Sequence, residues 1–432
     1  MLLIELNEFN GDLLKNVARA HRLRHVEEVL NWHHAGTWTA DEYETGFLEP
    51  WVQWVSVHTG VPSSQHGVKN LGDVPKLAED QIWERWSRRG LSSIVWGVMN
   101  GDRRHAENCR IFIPDPWTFS ESAYPARFEG LIALPRYLAK NYLDFSKLTA
   151  LRKGSSLLAT LLRSMKFSDF AAGLRILGCG IVRFGPTNLV FIAFFEYLSA
   201  MAFIRAVERN RPDAAIIFIN MLAHVQHHYW KTQDGSACPQ IEFVATVVDE
   251  ILGKILSRCK GLVGNGDAAV MNALSQNCTI DEAPWILYRP NNHAGLVSFL
   301  GIRAARVEPL MTYDAHVFFN AVDDARDGAE ILLSCEIAGQ PLFFVEPDKH
   351  DPLKLFYRVE MHDPVSADVT FATRGKAARF IDHFTAIVQR TGKHSQVGDL
   401  YASFEIGRQR FSNHELSGWL EDPSLRRAST AA

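Results

Sequence analysis

The sequence has few cysteines, no excess of charge of either sign, and no apolar run long enough to cross a bilayer. Its 432 residues include 6 cysteines, which form no Cys-x-x-Cys pair. This scatter predicts reduced thiols in a cytoplasmic protein rather than a disulfide framework. Lys and Arg total 45 against 49 Asp and Glu, for a net charge of -4. That balance argues against a nucleic-acid polymer as partner, because such a partner requires a basic surface.

The most apolar stretch covers residues 189–204 and contains Glu196. It is shorter than the roughly 20 apolar residues that a transmembrane helix needs. We therefore expect a buried helix and no transmembrane segment. The alternative is a helix that makes peripheral contact with a membrane or contacts a lipid-like substrate. The first seven residues lack the features of a signal peptide and predict a strand.

Strand and helix patterns alternate, which predicts an α/β fold with a mostly parallel central sheet flanked by helices. The segment 120–210 breaks the alternation and predicts a helical insertion or cap. The predicted organisation is a discontinuous α/β core over 1–119 and 211–410, the insertion over 120–210, and a C-terminal tail over 411–432. The predicted strands are Leu2–Leu6, Ser93–Met99, Ala214–Ile219, Ala268–Met271, Pro341–Val345 and Asp399–Phe404, and the clearest helices are Gly11–Leu30, Ile241–Leu256 and Ala377–Val388.

Two groups of polar residues lie early in the chain. Glu5, Asn7 and Glu8 stand at the end of the first predicted strand, at the sheet edge where α/β proteins build their sites. The string from Glu49 to Val68 contains a glycine-punctuated loop after a short helix. Both groups also fit purely structural roles, as caps and as an aromatic-anchored loop.

Histidines mark two later segments. His224, His227 and His228 follow the strand Ala214–Ile219. Because His224 and His227 are three residues apart, they would share a helical face and could hold a transition metal. His394 lies in a loop with a glycine on either side, which could deliver it to the same site or could be a plain turn.

In this order, the four segments resemble the alkaline phosphatase superfamily, and most of all its type I phosphodiesterase / nucleotide pyrophosphatase branch. The second segment carries the most specific match. The matching residues are Trp54, Thr59-Gly60, Pro62 and His66-Gly67, then Gln226 to Trp230, then Gly392, His394 and Gly398.

The departures from that family's pattern affect the chemistry. Asn7 replaces the first Asp, Pro50 stands where the nucleophilic Thr or Ser would be, and Ala223 replaces a further Asp. The expected Ser-Asp-His-Gly block is absent from residues 272–276. The resemblance therefore implies the family's fold but not its two-metal mechanism with a covalent nucleophile.

From the retained histidines we predict a divergent metal-dependent hydrolase or transferase that acts on phosphoester-type bonds through a metal-activated water. His224, His227 and His394 would bind one divalent metal ion, most simply zinc. The predicted substrate is a small-molecule, glycan-linked or lipid-linked phosphoester. The candidate catalytic residues are Glu49 or Glu5 as general base and Asn7 as an orienting group, and the candidate substrate-binding residues are Gln53, Ser56 and His58.

Two other classes of function stay open from the sequence. The missing nucleophile favours a non-catalytic protein that binds a ligand or a partner through the old cleft. A site rich in imidazole also suits a different metal chemistry on the same scaffold.

Overall fold

The computed structural model describes residues 1–141, 146–231, 236–310, 313–348, 351–373 and 376–421. The chain divides into two compact units. The first unit comprises Met1–Ala139, Phe145–Cys278 and Gly392–Ala432, and the second comprises Lys140–Asp144 and Thr279–Thr391.

The strands of both units are numbered in chain order. They are β1 Leu2–Leu6, β2 His33–Trp38, β3 Ser93–Val98, β4 Cys109–Pro114, β5 Ala214–Ile219, β6 Ala268–Met271, β7 Ser275–Cys278, β8 Trp285–Pro290, β9 Arg306–Pro309, β10 Asp314–Phe318, β11 Glu336–Ile337, β12 Gln340–Pro341, β13 Phe343–Pro347, β14 Lys354–Val359, β15 Thr370–Thr373, β16 Lys376–Arg379, β17 Phe384–Arg390, β18 Gly392–Ser395, β19 Val397–Ala402 and β20 Arg410–Ser412.

The α-helices are numbered in the same way. They are α1 Gly11–His21, α2 Arg24–Leu30, α3 Pro50–Thr59, α4 Ser63–His66, α5 Ile82–Arg88, α6 Glu129–Lys140, α7 Lys147–Ser164, α8 Phe167–Phe184, α9 Asn188–Asn210, α10 Met221–His228, α11 Pro239–Cys259, α12 His293–Phe299, α13 Val322–Leu333, α14 Phe380–His383 and α15 Glu415–Glu421. Short 3-10 helices cover Tyr43–Thr45, Val74–Lys76, Ala126–Phe128 and Lys260–Leu262.

The first unit is built on an eight-stranded sheet with the order β20-β2-β19-β6-β1-β5-β3-β4. All neighbouring pairs are parallel except those that β19 makes with β2 and β6. The predicted fold class, α/β with a mostly parallel sheet flanked by helices, is confirmed.

The central strand β1 is buried on both faces, as a near-continuous apolar run in a parallel sheet should be. Alternate side chains point to opposite faces. Leu2, Ile4 and Leu6 pack into the core formed with α9 and α11, whereas Leu3 packs into the core formed with α3, α5 and α15. Glu5 has the same parity as Leu3 and therefore points toward α3.

The strands β1, β5 and β6 coincide with the predicted ranges, and β3 is one residue shorter than predicted. Residues 120–210 contain α6 to α9, in agreement with a helical segment. The predicted helix over 11–30 is instead two helices, because Arg22 adopts a left-handed conformation with φ 54. The predicted 411–432 tail contains α15, whose Leu416, Trp419 and Leu420 are buried; residues 422–432 lie outside the described residues.

The second unit is the part of the chain that the sequence analysis did not separate from the core. It contains antiparallel sheets with the orders β13-β14-β10-β9 and β12-β11-β15-β16, together with the pair β8 and β17. The predicted helix Ala377–Val388 is wrong, because these residues form β16, the one-turn helix α14 and most of β17. Phe380 and Phe384 stack with ring centroids 4.5 Å apart in the unit's core. Antiparallel pairing of β17 with β8 explains why the helical spacing of apolar residues was misleading here.

Helix α9 contains the apolar stretch that the sequence marks. By length and composition it is the one helix among the described residues that could cross a membrane, and 61% of its apolar window is buried inside the protein. Core helices of soluble proteins meet the same criterion. Its Glu196 accepts hydrogen bonds from the backbone N–H groups of Asn220 and Met221, both at 2.9 Å. The carboxylate thus caps the first turn of α10.

Burial raises the pKa of Glu196 to about 7, although the two backbone donors oppose this shift. The folded state therefore holds the proton to a higher pH than the unfolded state, whose pKa is near the ordinary 4.5. We expect the free energy of unfolding to fall as the pH rises from about 4.5 to 7, and Glu196→Gln to remove this part of the pH dependence. Urea unfolding at pH 5 and pH 8 measures this change in the free energy of unfolding.

Glu208 on the same helix is the matched control. Burial alone would raise the pKa of Glu208. Hydrogen bonds from Arg258, Lys166 and Arg205 instead lower this pKa to about 2. Its titration lies below the tested window, so Glu208→Gln should leave the slope between pH 5 and pH 8 unchanged. An equal change of slope in both variants would contradict the assignment to Glu196.

Candidate metal centre

The site lies at the carboxyl ends of β1 and β5. These strands are parallel neighbours whose last residues, Leu6 and Ile219, are paired. Asn7 and Glu8 follow the first strand, and Asn220 followed by α10 comes after the second. Because parallel strands end at one edge of the sheet, Glu8 and the histidines of α10 are brought together.

Glu8, His227 and His394 form a cluster whose ligand atoms all lie within 4.8 Å of one another, an arrangement that could hold a metal ion. The Oε2 atom of Glu8 lies 3.1 Å from Nε2 of His227 and 3.1 Å from Nε2 of His394. Two ligands bound tetrahedrally to one zinc ion at about 2.0–2.2 Å are separated by roughly 3.3–3.5 Å. The two spacings from Glu8 are therefore close to those of ligands that share one metal ion.

The second nitrogen of each imidazole lies near a backbone carbonyl. His227 Nδ1 is 3.3 Å from the oxygen of Gly392, and His394 Nδ1 is 3.0 Å from the oxygen of Leu48. A proton on Nδ1 would satisfy these carbonyls and leave the Nε2 lone pair facing Glu8, which is the arrangement of metal-binding histidines. A protonated Nε2 would instead donate to Glu8, so the same geometry suits either a proton or a metal ion between each imidazole and the carboxylate.

The electrostatics of Glu8 favour the charged carboxylate. Burial by itself would raise the pKa of Glu8, but the charges and hydrogen bonds of His394 and His227 hold it well below its usual value. Asn7 donates to Oε1 at 2.9 Å, and Gln276 donates to Oε2. Glu8 therefore remains a charged ligand at neutral pH.

The backbone around Glu8 is equally constrained. Glu8 has a left-handed conformation with φ 54, and its carbonyl accepts a hydrogen bond from Gln226 Nε2 at 2.7 Å. Gly392 packs against the backbone of Gln226 on α10, since an added Cβ on Gly392 would lie 2.6 Å from the carbonyl oxygen of Gln226. This close approach places the carbonyl of Gly392 beside His227.

Of the three predicted metal ligands, the structure brings two together. His224 does not join the cluster: its Nε2 lies 3.2 Å from Nδ2 of Asn220, and its ring lines a separate cavity. Burial lowers the pKa of His224 to about 4, so it is neutral at pH 7. The carboxylate of Glu8 takes the third place, and its position just after β1 was the available sequence signal.

Glu5 and His58 lie outside the site. Both are fully buried, and His58 Nε2 is 2.8 Å from Oε1 of Glu5. The ring of His58 packs between Trp54 and Trp83. Glu5 points to the side of β1 that faces α3, and His58 belongs to α3. The pair therefore lies in the core between the strand and the helix, where it cannot contact a substrate.

The predicted substrate-binding residues Gln53 and Ser56 are also buried and internally bonded. Gln53 donates to Asp41 and to the carbonyl of Phe47, and it accepts from Asn413. Ser56 Oγ lies 3.0 Å from Nε2 of His66. These side chains hold the segments on either side of α3 in place and do not face a ligand.

Asn7 and Glu49 lie next to the cluster. Asn7 accepts from Trp54 Nε1 at 2.8 Å and donates to Glu8 and to Asn220, so its amide positions the carboxylate. Glu49 precedes the first residue of α3, and its Oε2 is 3.4 Å from Nδ1 of His394. With 23% of its side chain exposed, Glu49 is accessible to solvent.

Comparison with known proteins yields structural likeness only. No family model and no curated protein matches the chain. A phosphonoacetate hydrolase from Sinorhizobium meliloti in complex with phosphonoformate is 13% identical, with 97% of this chain and 94% of that chain covered at a TM-score of 0.46. Human ectonucleotide pyrophosphatase / phosphodiesterase 5 is 11% identical, with 97% and 93% covered at a TM-score of 0.47.

The murine form of the second protein is also 11% identical, with 97% and 93% covered at a TM-score of 0.42. These structures come from the alkaline phosphatase superfamily that the sequence motifs resemble. Because every one of these TM-scores is below 0.5, the likeness assigns no reaction to this chain.

The cluster predicts which histidines matter for metal binding. His227→Ala and His394→Ala each remove one ligand and should weaken zinc binding at least 100-fold, since outer-shell changes alone cost about 10- to 100-fold. Equilibrium dialysis with zinc, read by elemental analysis, measures the affinity. His224→Ala is the matched control on α10 and should bind zinc like the wild type; loss of zinc in this variant would restore His224 as a ligand.

The close packing of Gly392 gives a second prediction. Gly392→Ala should lower the free energy of unfolding by about 1–3 kcal/mol, because the added methyl group forces α10 and β18 apart. Zinc affinity should fall with it. Gly178→Ala on α8, where an added Cβ meets nothing within 4 Å, is the control and should be neutral or slightly stabilising. Urea unfolding of the two variants makes the comparison.

Proposed function

We propose that this chain is a metal-dependent hydrolase or transferase that acts on phosphoester-type bonds. The observation that carries the proposal is the cluster of Glu8, His227 and His394 at the carboxyl edge of a parallel sheet. One carboxylate and two imidazoles form the ligand set of several catalytic zinc sites, in which a further position stays open for substrate or water.

A divalent metal ion bound there would polarise a phosphoryl oxygen and stabilise the charge that develops on it. The protein's own side chains would carry out the remaining steps. Glu49 accepts the proton of the attacking water as its oxygen bonds to phosphorus and the bond from phosphorus to the leaving group breaks. In a transferase, an acceptor hydroxyl takes the place of the water. Asn7 holds the Glu8 carboxylate in position.

Pro50 supports an attack by water or by an acceptor hydroxyl. It is the first residue of α3 and stands where the resembled family carries its hydroxyl nucleophile. Proline has no group that could form a covalent phosphoryl intermediate. We therefore infer a single displacement, in which water or an acceptor hydroxyl attacks the phosphorus directly.

Hydrolysis of bis(p-nitrophenyl) phosphate and of p-nitrophenyl phosphate with added zinc tests the proposal. His227→Ala should abolish turnover. Measured at saturating zinc, Glu49→Gln should reduce kcat about 100- to 10,000-fold, as expected for loss of a general base. Glu42→Gln, which changes a carboxylate in the preceding loop, is the control for Glu49.

Turnover that persists in the His227→Ala variant would refute metal-dependent catalysis at this cluster. The absence of turnover by a zinc-loaded wild-type protein, over both ester types, would favour a protein that only binds a ligand.

The same donor set supports one other candidate. Two histidines and one carboxylate also bind iron(II) in non-haem oxygenases. Elemental analysis of the purified protein, with electron paramagnetic resonance of its nitric oxide adduct, separates the candidates. Stoichiometric iron with such a signal would favour redox chemistry, and zinc would favour ester chemistry.

A further inference from the structure

A second feature of the first unit is an apolar cavity of about 320 Å³. It lies between helices α6, α7 and α9 and the ends of β3, β4 and β5. Most of its wall is formed by aliphatic and aromatic side chains, among them Leu131, Leu134, Leu138, Leu157, Leu161 and Phe195. A cavity of this size is within the range of small-molecule sites.

The inner end of the cavity is polar and lies next to the metal centre. Asn220, His224 and Glu196 line this end. Asn220 accepts a hydrogen bond from Asn7 at 2.7 Å, and Asn7 donates to Glu8 at 2.9 Å. These two hydrogen bonds connect the cavity wall to the ligand carboxylate.

The outer end of the cavity reaches the protein surface. Leu138 on α6 and Phe195 on α9 line the cavity and are 37% and 39% exposed. Large apolar side chains at a cavity mouth favour an apolar ligand over a sugar or a nucleotide, because a polar ligand would lose its hydration there.

Helix α7 separates the cavity from a second apolar surface. Its Leu157 and Leu161 are buried and line the cavity. Another face of the same helix exposes a stripe at helical spacing, which consists of Leu148, Leu151, Leu158 and Leu162. Lys147, Arg152 and Arg163 flank the stripe. An apolar stripe with basic flanks suits contact with an anionic lipid surface.

We propose that the cavity binds the hydrocarbon chain of a phosphoester lipid and presents its phosphate to Glu8, His227 and His394. The position of the phosphate rests on the proposed function, whereas binding of the chain does not. At roughly 30 Å³ for a group the size of a water molecule, the cavity holds on the order of ten methylene groups.

Binding of alkyl phosphates to the protein with its metal removed tests the chain site by itself. Ethyl, hexyl, decyl and tetradecyl phosphate carry the same headgroup. Below the critical micelle concentration, affinity should rise by up to about fourfold per methylene and then level off near ten carbons. Isothermal titration calorimetry measures the affinity for each alkyl phosphate. An affinity that does not depend on chain length would overturn the proposal.

Neighbouring residues on α7 give a matched pair of variants. Leu161→Trp places a bulky side chain in the cavity and should abolish the dependence on chain length. Leu162→Trp, on the exposed stripe, should bind like the wild type. Leu138→Trp narrows the mouth at a partly exposed position that tolerates the change, so it repeats the test if Leu161→Trp fails to fold. Wild-type binding by Leu161→Trp and Leu138→Trp would refute the site.

Turnover separates this inference from the proposed function. With zinc bound, kcat/KM for alkyl p-nitrophenyl phosphates should rise with alkyl length, and Leu161→Trp should remove the rise. Leu162→Trp, which lies outside the cavity, should keep the rise and turn over the ethyl ester like the wild type. Equal turnover of all chain lengths would overturn the substrate assignment alone. Chain binding without turnover of any ester would refute the hydrolase function and leave the chain site in place.

Vesicles distinguish a membrane source of the lipid from a soluble one. The full chain should sediment with vesicles of phosphatidylglycerol and phosphatidylcholine, and the double variant Leu151→Asp and Leu158→Asp should not. Sedimentation of the wild type assigns a bilayer source. Retained binding of decyl phosphate without sedimentation assigns a lipid that reaches the cavity from solution.

Discussion

A carboxylate that is buried at the end of the central strand must be matched by hydrogen-bond donors and positive charge. Glu8 is 2% exposed, so water does not supply them. Asn7, Gln276, His227 and His394 do so from four separate segments of the chain. Three features of the fold bring these four segments to Glu8. They are the order of β1, β5 and β6 in the sheet, the start of α10, and the pairing of β7 with β18.

Patterns of buried residues made part of the fold predictable. Strands β1, β5 and β6 are short and apolar except for Glu5, so their limits agree with the sequence prediction. His227 was identified in a motif position beyond such a strand, and His394 in a motif loop with a glycine on either side. Glu8 was noticed beside Glu5 and Asn7, but the sequence could not show that the backbone turns left-handed there and directs this carboxylate to the histidines.

The errors arise where contacts between distant segments decide the outcome. His224 and His227 are three residues apart, which still leaves them about 60° apart around a helix. That angle sends one imidazole to Asn220 and the other to Glu8. Phe380 and Phe384 have the spacing of a helix face, yet pairing with β8 holds the second of them in a strand. Glu5 and His58 are bonded to each other inside the core, and neither residue alone reveals its partner.

The strand pair formed by β7 and β18 also bears on how such a chain could have been assembled. Cys278 and Gly392 are directly paired, although more than a hundred residues separate them. Residues 279–391 of the second unit therefore join the first through two adjacent strand ends. An insertion of this kind can be acquired, exchanged or lost in evolution without altering the register that holds His394 opposite Gln276. Accessory modules could thus diversify around an unchanged centre.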